Sequence, residues 1–287
     1  MKLLVLGATG LLGTSLTPTL QRLGHEVISH GHTHRAGSAA DLSDAAQTDR
    51  LFAEVQPEAA INLAGLTNVD LCETQHQQAW RANVLAVEHV AAACRITGAR
   101  LVHLSTDHVY DGDGPSTEEQ ASPGNYYALT KYAGELAARA AGATVLRVNF
   151  FGASQHPTRR SLTDWLWSSL SSGQRITVFE DVRFSPLSIQ TLSLMIDKMV
   201  SRGVEGIFNT GSNDGMSKAD FAFSFARSLG LPTDRMTRAS VDLAPPRAWR
   251  PKDMRMRNTR LEKLLGQAMP RLEDEIEIAA KDYRDSF

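Results

Sequence analysis

The uninterrupted apolar run Leu3-Leu4-Val5-Leu6 is followed at once by Gly7-Ala8-Thr9-Gly10-Leu11-Leu12-Gly13. A short apolar run bounded by glycine reads as a strand buried on both faces, and Leu11 to Leu23 carries apolar residues at helical spacing. Strand, glycine turn and helix in direct succession leave few folds open. The next strand must lie parallel to the first after a right-handed crossover. The first half keeps this rhythm, with strands at Glu26–Ser29, Ala59–Leu63, Arg100–Leu104 and Thr144–Val148. Helices are predicted at Ser43–Val55, from about Thr74 to Ile96, and at Tyr126–Ala140. Ser43 is the expected N-cap of its helix and Pro57 the expected stop. Pro18 predicts a kink or irregular turn in the first helix, because it removes a backbone bond at a cost of ~3 kcal/mol. Alternation of this kind predicts an α/β fold, a doubly wound parallel sheet with helices on both faces.

After Asn149 the rhythm loosens. Helices are expected near Leu162–Leu170, Ile189–Val200, Lys218–Leu229 and Leu272–Tyr283, with a Pro-rich stretch around Pro245, Pro246 and Pro251. The expected organisation is a Rossmann-like dinucleotide-binding domain over 1–150. Residues 151–287 would form mainly a smaller, helix-rich substrate lobe, with a soft boundary and room for a strand returning to the first sheet. Trp165 and Trp167 are read as packing for that lobe. Thirty Lys and Arg against 32 Asp and Glu give a net charge of −2, which offers no basic footprint for nucleic acid or an anionic membrane. Cys72 and Cys94 stand in no paired motif, which excludes a disulfide framework and suits a reducing compartment. The apolar start is too short to span a bilayer and too interrupted for a signal peptide, so the expectation is a cytoplasmic protein.

Three motifs carry chemistry. The glycines at 7, 10 and 13 sit where the first strand meets the first helix. There they permit a tight turn, let backbone approach a pyrophosphate, and let the helix N-terminus hold the phosphates. Tyr127 and Lys131 lie four apart on a predicted helix, hence on one face, where a cation favours phenolate and makes the phenol a usable acid/base. Ser105-Thr106-Asp107-His108 ends a predicted strand, and ligands of open parallel sheets bind outside the carboxyl ends of strands. A hydroxyl there can orient a carbonyl while Tyr127 delivers a proton. The alternating His30, His32 and His34 lack a nearby carboxylate or thiol ligand, so they read as a polar loop and no metal is expected.

In this order the motifs resemble the short-chain dehydrogenase/reductase superfamily. The chain looks like an extended member, most similar to its dTDP-4-dehydrorhamnose reductase branch. Further stretches that resemble the branch are Asp41-Leu42-Ser43-Asp44, Ile61-Asn62-Leu63-Ala64-Gly65 and Thr67-Asn68-Val69-Asp70 through Glu73. Ser105 to Gly112, Tyr127 to Glu135, Leu146 to Gly152, Arg250-Pro251 and Leu261 to Gly266 also match it. The resemblance implies a cofactor site of Gly7, Gly10, Leu11, Leu12, Gly13, Asp41, Leu42, Ala64, Gly65 and Thr67, with Tyr127 and Lys131 at its catalytic end. It implies Thr106, Tyr127 and Lys131 as the catalytic set, with Lys131 depressing the tyrosine pKa and holding the nicotinamide ribose. Asp107 and Asn149 would meet the substrate, and Arg250, the member of a basic cluster chosen for it, would meet a diphosphate. The substrate so implied is a nucleotide-diphosphate-linked keto-deoxysugar, and a homodimer is compatible with it. Ala128, His108 and Asn149-Phe150-Phe151 depart from the branch pattern and leave the sugar open. An epimerase or dehydratase, or a catalytically silent cofactor-binding subunit, remains the alternative.

The cofactor preference follows from what the second strand lacks. Val27 to Arg35 contains no carboxylate to accept ribose hydroxyls or repel a 2′-phosphate, and none occurs before Asp41. Arg35 can pair a phosphate, with His32 or Thr33 as a hydrogen-bond donor. NADPH is therefore expected over NADH, with use of both allowed.

Overall fold

The computed structural model describes residues 1–31, 38–245 and 247–285. In chain order its first elements are β1 (Lys2–Leu6), α1 (Gly13–Arg22), β2 (Glu26–Gly31), β3 (Ser38–Ala39), α2 (Ala45–Val55) and β4 (Ala59–Asn62). They are followed by α3 (Val69–Thr74), α4 (His76–Trp80), α5 (Ala86–Thr97), β5 (Arg100–Thr106), α6 (Tyr126–Ala140) and β6 (Thr144–Val148). These six strands and Gly206–Thr210 form one seven-stranded sheet, in the order β3-β2-β1-β4-β5-β6 and then the later strand. Every pairing in it is parallel.

β1 shows why the sheet is covered twice. Leu3 and Val5 pack with Leu16 and Leu20 of α1 on one face. Leu4 and Leu6, their neighbours in sequence, pack with Leu51 and Phe52 of α2 and Val90 of α5 on the other. Period-two alternation thus puts apolar residues on both faces, and the strand reads as a continuous hydrophobic run. Chain order reverses beside β1, which lies between β2 and β4. A crevice therefore opens there, outside the carboxyl ends of the strands.

The later helices are α7 (Leu162–Ser171), α8 (Ile189–Arg202), α9 (Lys218–Ser228), α10 (Thr259–Leu265) and α11 (Leu272–Arg284). α8 packs on the α1 face of the main sheet through Leu192 and Ile196. A separate aromatic core joins Phe151, Phe184, Phe221, Phe225 and Tyr283. Phe151 and Phe184 each meet Phe221 edge-on, at 4.7 and 5.2 Å between ring centroids. Trp167 packs against this core, whereas Trp165 is 39% exposed. Among the described residues, no helix is long and apolar enough to cross a membrane.

Three local expectations need correction. α1 runs through Pro18 to Arg22 without the expected irregular turn; Pro18 lies on the exposed side, where water can serve the carbonyl that loses its partner. Asp44, not Ser43, caps α2 by accepting from the Gln47 amide, because the Ser43 amide and hydroxyl are turned back onto Asp41 Oδ1 at 2.9 and 2.7 Å. The expected long helix from Thr74 is also interrupted. α4 passes into one π-helical turn at Arg81–Leu85 before α5 begins.

Gly134 of α6 sits against that turn, and a Cβ there would lie 2.3 Å from the Asn83 carbonyl oxygen. A backbone atom cannot rotate away, so a larger residue must push α6 off the π-turn. Gly134→Ala is expected to cost about 1–3 kcal/mol, seen as a lower urea midpoint at unchanged slope, with loss of activity if α6 shifts.

Candidate active site

The crevice begins at the glycine turn. Gly7 has φ +80°, and a Cβ there would lie 2.9 Å from the Ala64 amide nitrogen, so the turn after β1 and the loop after β4 meet backbone to backbone. A Cβ on Gly13 would lie 2.5 Å from the Ala8 carbonyl oxygen, which is why α1 can start directly against the turn. No side chain caps α1 and its first turn holds no acidic residue. The Thr14, Ser15 and Leu16 amides are already bonded to the Gly10 and Leu12 carbonyls, so what α1 offers the crevice is the positive end of its dipole.

Two adjoining cavities of about 660 and 470 Å³ share Gly7, Gly10, Leu63 and Gly65. The larger runs past Ala64 to Asp41 and Leu42. Asp41 is fixed by Ser43 and lies 3.6 Å from the Arg81 guanidinium, while the Leu42 carbonyl lies 3.0 Å from His89 Nδ1. The smaller is bounded by Leu11, Leu12, Gly13, Thr67, Thr106, Asp107, Tyr127, Lys131 and Asn149. Residues predicted from six separate stretches of chain thus line two adjoining cavities. His32 and Arg35 lie outside the described residues, as does His34. Among the described residues, no three His, Cys, Asp or Glu side chains converge as a metal site.

Thr106 is the last residue of β5, and its hydroxyl oxygen accepts from the His108 amide at 3.2 Å. Tyr127 is the second residue of α6, whose start is fixed by Asn125 accepting from the Ala128 amide at 2.7 Å. Its ring is buried with Val69, Cys72 and Ala79, and the His108 ring meets it edge-on at 5.6 Å. Burial pushes the Tyr127 phenol above its ordinary range, and its hydrogen bond with Thr106 works against that. Lys131 is 5% exposed, and its Nζ donates to the Leu104 carbonyl at 2.7 Å. Burial lowers its pKa to about 8, with Glu135 opposing. The expected depression of the tyrosine by the lysine is therefore not what governs Tyr127 here. The two side chains share a helical face, but the ammonium is turned onto β5 and burial of the phenol dominates.

Asp107 is 1% exposed and accepts from Asn149 Nδ2 at 2.6 Å. Burial raises its pKa to about 6, against the pull of Asn149 and the nearby Lys218. Burial lowers His108 to about 3, so the imidazole is neutral. Arg250 is not directed at this cavity: it pairs with Asp70 at 2.6 Å and donates to the Ala248 carbonyl at 2.9 Å. It straps the 247–250 segment to the first turn of α3, helped by Asn125 donating to the Trp249 carbonyl at 3.0 Å.

Sequence reasoning missed Asn83, Lys218, Arg159 and Arg160. Asn83 in the π-turn accepts from the Leu66 amide at 2.8 Å and donates to the Leu66 carbonyl and to Thr130 Oγ1, each at 3.0 Å. It fixes the loop that walls the groove, and nothing in one helical sequence marks such a turn. Lys218 starts α9, with Nζ 5.8 Å from the centre of the Phe184 ring. Arg159 lines both cavities and Arg160 the smaller one, from a stretch with no helical or strand period to mark it.

Against this geometry, the family model described as the RmlD substrate binding domain matches residues 1–284. The chain belongs to that family. A Mycobacterium tuberculosis dTDP-4-dehydrorhamnose reductase is 29% identical over 222 residues, covering 75% of this chain and 71% of that protein. Methionine adenosyltransferase 2 subunit beta of Xenopus laevis is 27% identical, covering 93% of this chain and 84% of that protein. The crystal structure of a Bacillus anthracis dTDP-4-dehydrorhamnose reductase in complex with NADP superposes with a TM-score of 0.88. It is 24% identical and covers 98% of this chain and 99% of that one. The shared fold is the Rossmann-like doubly wound sheet expected from the sequence.

The buried lysine gives a signed test. Its pKa in the folded protein, about 8, lies below the ordinary 10.5, so the folded state holds the proton less tightly than the unfolded one. Lys131 therefore costs stability below about pH 8, and the cost fades as pH rises to 10.5. At pH 7 Lys131→Met is expected to be more stable than the parent by about 1–3 kcal/mol, after allowing for the lost bond to Leu104. Urea denaturation at pH 7 and pH 10 checks both the sign and the closing gap.

Proposed function

We propose that this protein is an NADPH-dependent reductase of a nucleotide-diphosphate-linked keto-deoxysugar, of the 4-dehydrorhamnose reductase kind. The observation that carries this reading is the meeting of Thr106, Tyr127 and Lys131 at one end of the groove that starts at the glycine turn. The residues fit a dinucleotide. A Cβ at Gly7 would strike the Ala64 backbone and one at Gly65 the Asn83 side chain, no side chain caps the start of α1, and the groove extends to Asp41 and Leu42. In this reading the Gly7–Gly13 turn holds the pyrophosphate, Asp41 and Leu42 the adenine side, Ala64, Gly65 and Thr67 the floor and rim, and Lys131 the nicotinamide ribose. NADPH, when bound, supplies the hydride, and the protein's share is position and electrostatics.

Tyr127 holds its proton at Oη, as an acid for reduction must, because burial keeps the phenol neutral. It passes that proton to the substrate oxygen while Thr106 Oγ1 orients the carbonyl. Once the phenolate forms, the nearby Lys131 ammonium is the charge available to stabilise it. Asp107 and Asn149 hold each other and together face the sugar; Arg250 acts on the substrate only through the segment it straps. Residues 151–287 supply most of the substrate side, and their strand Gly206–Thr210 interleaves with the cofactor-binding sheet. NADPH is preferred over NADH for the reason visible in the sequence, the missing carboxylate after β2 together with Arg35. A cytoplasmic homodimer completes the reading.

The deciding assay follows absorbance of NADPH with a panel of 4-keto sugar nucleotides. Net cofactor oxidation is the expected result. Product change without oxidation would make the protein an epimerase or dehydratase. Silence across the panel would favour a non-catalytic subunit, a reading that the similarity to the methionine adenosyltransferase subunit keeps in view.

Tyr127→Phe should lose at least about two orders of magnitude in turnover, with NADPH affinity nearly unchanged, since the ring still packs but carries no proton. Near-normal turnover in this variant would sink the assigned acid.

A further inference from the structure

The three side chains assigned to catalysis come from two elements, β5 and α6, and something must fix one against the other. Glu135 lies one turn beyond Lys131 on α6 and is fully buried. Its Oε1 accepts a hydrogen bond from Ser105, the residue immediately before Thr106. The same carboxylate is gripped by Arg147, through Nε at 3.0 and 3.1 Å and through Nη2 at 2.6 Å. Ser105 and Arg147 are direct partners in the β5–β6 ladder. One carboxylate therefore spans two adjacent strands at their carboxyl ends. Arg147 is anchored in turn by donating to Tyr110 Oη at 2.7 Å and to the Glu118 carbonyl at 2.8 Å. Tyr110 passes the chain on to Asn209 of the returning strand at 2.6 Å.

We propose that Ser105 and Glu135 are positioning residues that set the register between the strand carrying Thr106 and the helix carrying Tyr127 and Lys131. The placement is the argument. Lys131 bonds the Leu104 carbonyl and Glu135 bonds the Ser105 hydroxyl, so successive turns of α6 hold successive residues of β5. A buried charged network of this kind is costly to assemble, and it defines one geometry only when every member is satisfied. Here Glu135 has three polar groups of two residues directed at it. A hydroxyl hydrogen bond to Thr106's neighbour is an economical way to prevent a small slide of β5, and slides of about 1 Å can cost a hundredfold in rate.

The inference rests on the proposed reductase reading, and the test separates the two. Ser105→Ala removes the link while leaving the Arg147–Glu135 pair, so it should fold normally. Its kcat should fall about tenfold, with KM values for NADPH and sugar nucleotide within about twofold of wild type. Glu135→Gln should lose more, and the double variant should lose no more than Glu135→Gln alone, as expected of coupled residues. Independently of turnover, amide hydrogen exchange at residues 104–108 should quicken in Ser105→Ala. Should Glu135→Gln fail to fold because Arg147 is left unpaired, the Ser105→Ala kinetics and exchange still decide. A kcat within about twofold of wild type, a loss carried by KM, additive losses in the double variant, or unchanged exchange would each overturn the clamp. If the wild-type protein reduces no sugar nucleotide, the function falls and hydrogen exchange alone judges Ser105 and Glu135.

Discussion

Covering a parallel sheet on both faces leaves it only one place for chemistry. β1, β4, β5 and β6 are buried on each side, under α1 and α8 on one face and α2 and α5 on the other, and the polar side chains they carry inside, such as Ser105 and Arg147, are paired. Polar groups that must meet a ligand are thereby driven to the carboxyl ends, where Gly7, Asn62, Thr106 and Asn149 leave their strands. Parallel order also fixes the spacing of these ends, because each strand starts from the same edge after a helical crossover. The crevice beside β1 is a consequence of topology before it is a consequence of any one side chain.

That geometry has an energetic price at the site. Tyr127, Lys131 and Asp107 are all nearly removed from water, and burial moves each of them toward its neutral form. For the tyrosine this favours the state a proton donor needs. For the lysine it works against the charge a cofactor ribose or a phenolate would want, and Glu135 offsets part of the effect. The Glu135–Arg147 pair costs desolvation of its own, yet breaking a buried pair by removing one partner typically costs 3–5 kcal/mol. Such a pair contributes definition more than net stability, and here it joins α6, β5 and β6.

Different parts of the molecule were legible to different degrees. α6 and β6 begin and end where the sequence placed them, because Asn125, the apolar spacing of α6 and the apolar run of β6 are all local signals. The stretch from Thr74 to Ile96 read as one helix because its periodicity is helical almost throughout. The π-turn inside it answers to Gly134 and Leu66, which are distant in sequence. Arg250 was chosen from a basic cluster for its guanidinium and its match to the family pattern, and neither reveals a partner. Asp70, from the first turn of α3, takes it.

What the sequence determined by itself was everything with a period or a forbidden conformation. Apolar runs set strands, helical spacing set helices, and glycines at 7, 10 and 13 announced a backbone approach that no side chain permits. From those alone comes the doubly wound sheet with its crevice, while Thr106, Tyr127 and Lys131 were singled out as a set by their resemblance to a family pattern. Only the tertiary structure decided which polar groups spend their hydrogen bonds on each other. Ser105 and Arg147 meet at Glu135, Lys131 turns to Leu104, and Asn149 holds Asp107. The reason is physical. Backbone preferences act over a few residues and are written locally, whereas the desolvation that forces buried polar groups into pairs depends on which segments the fold brings together.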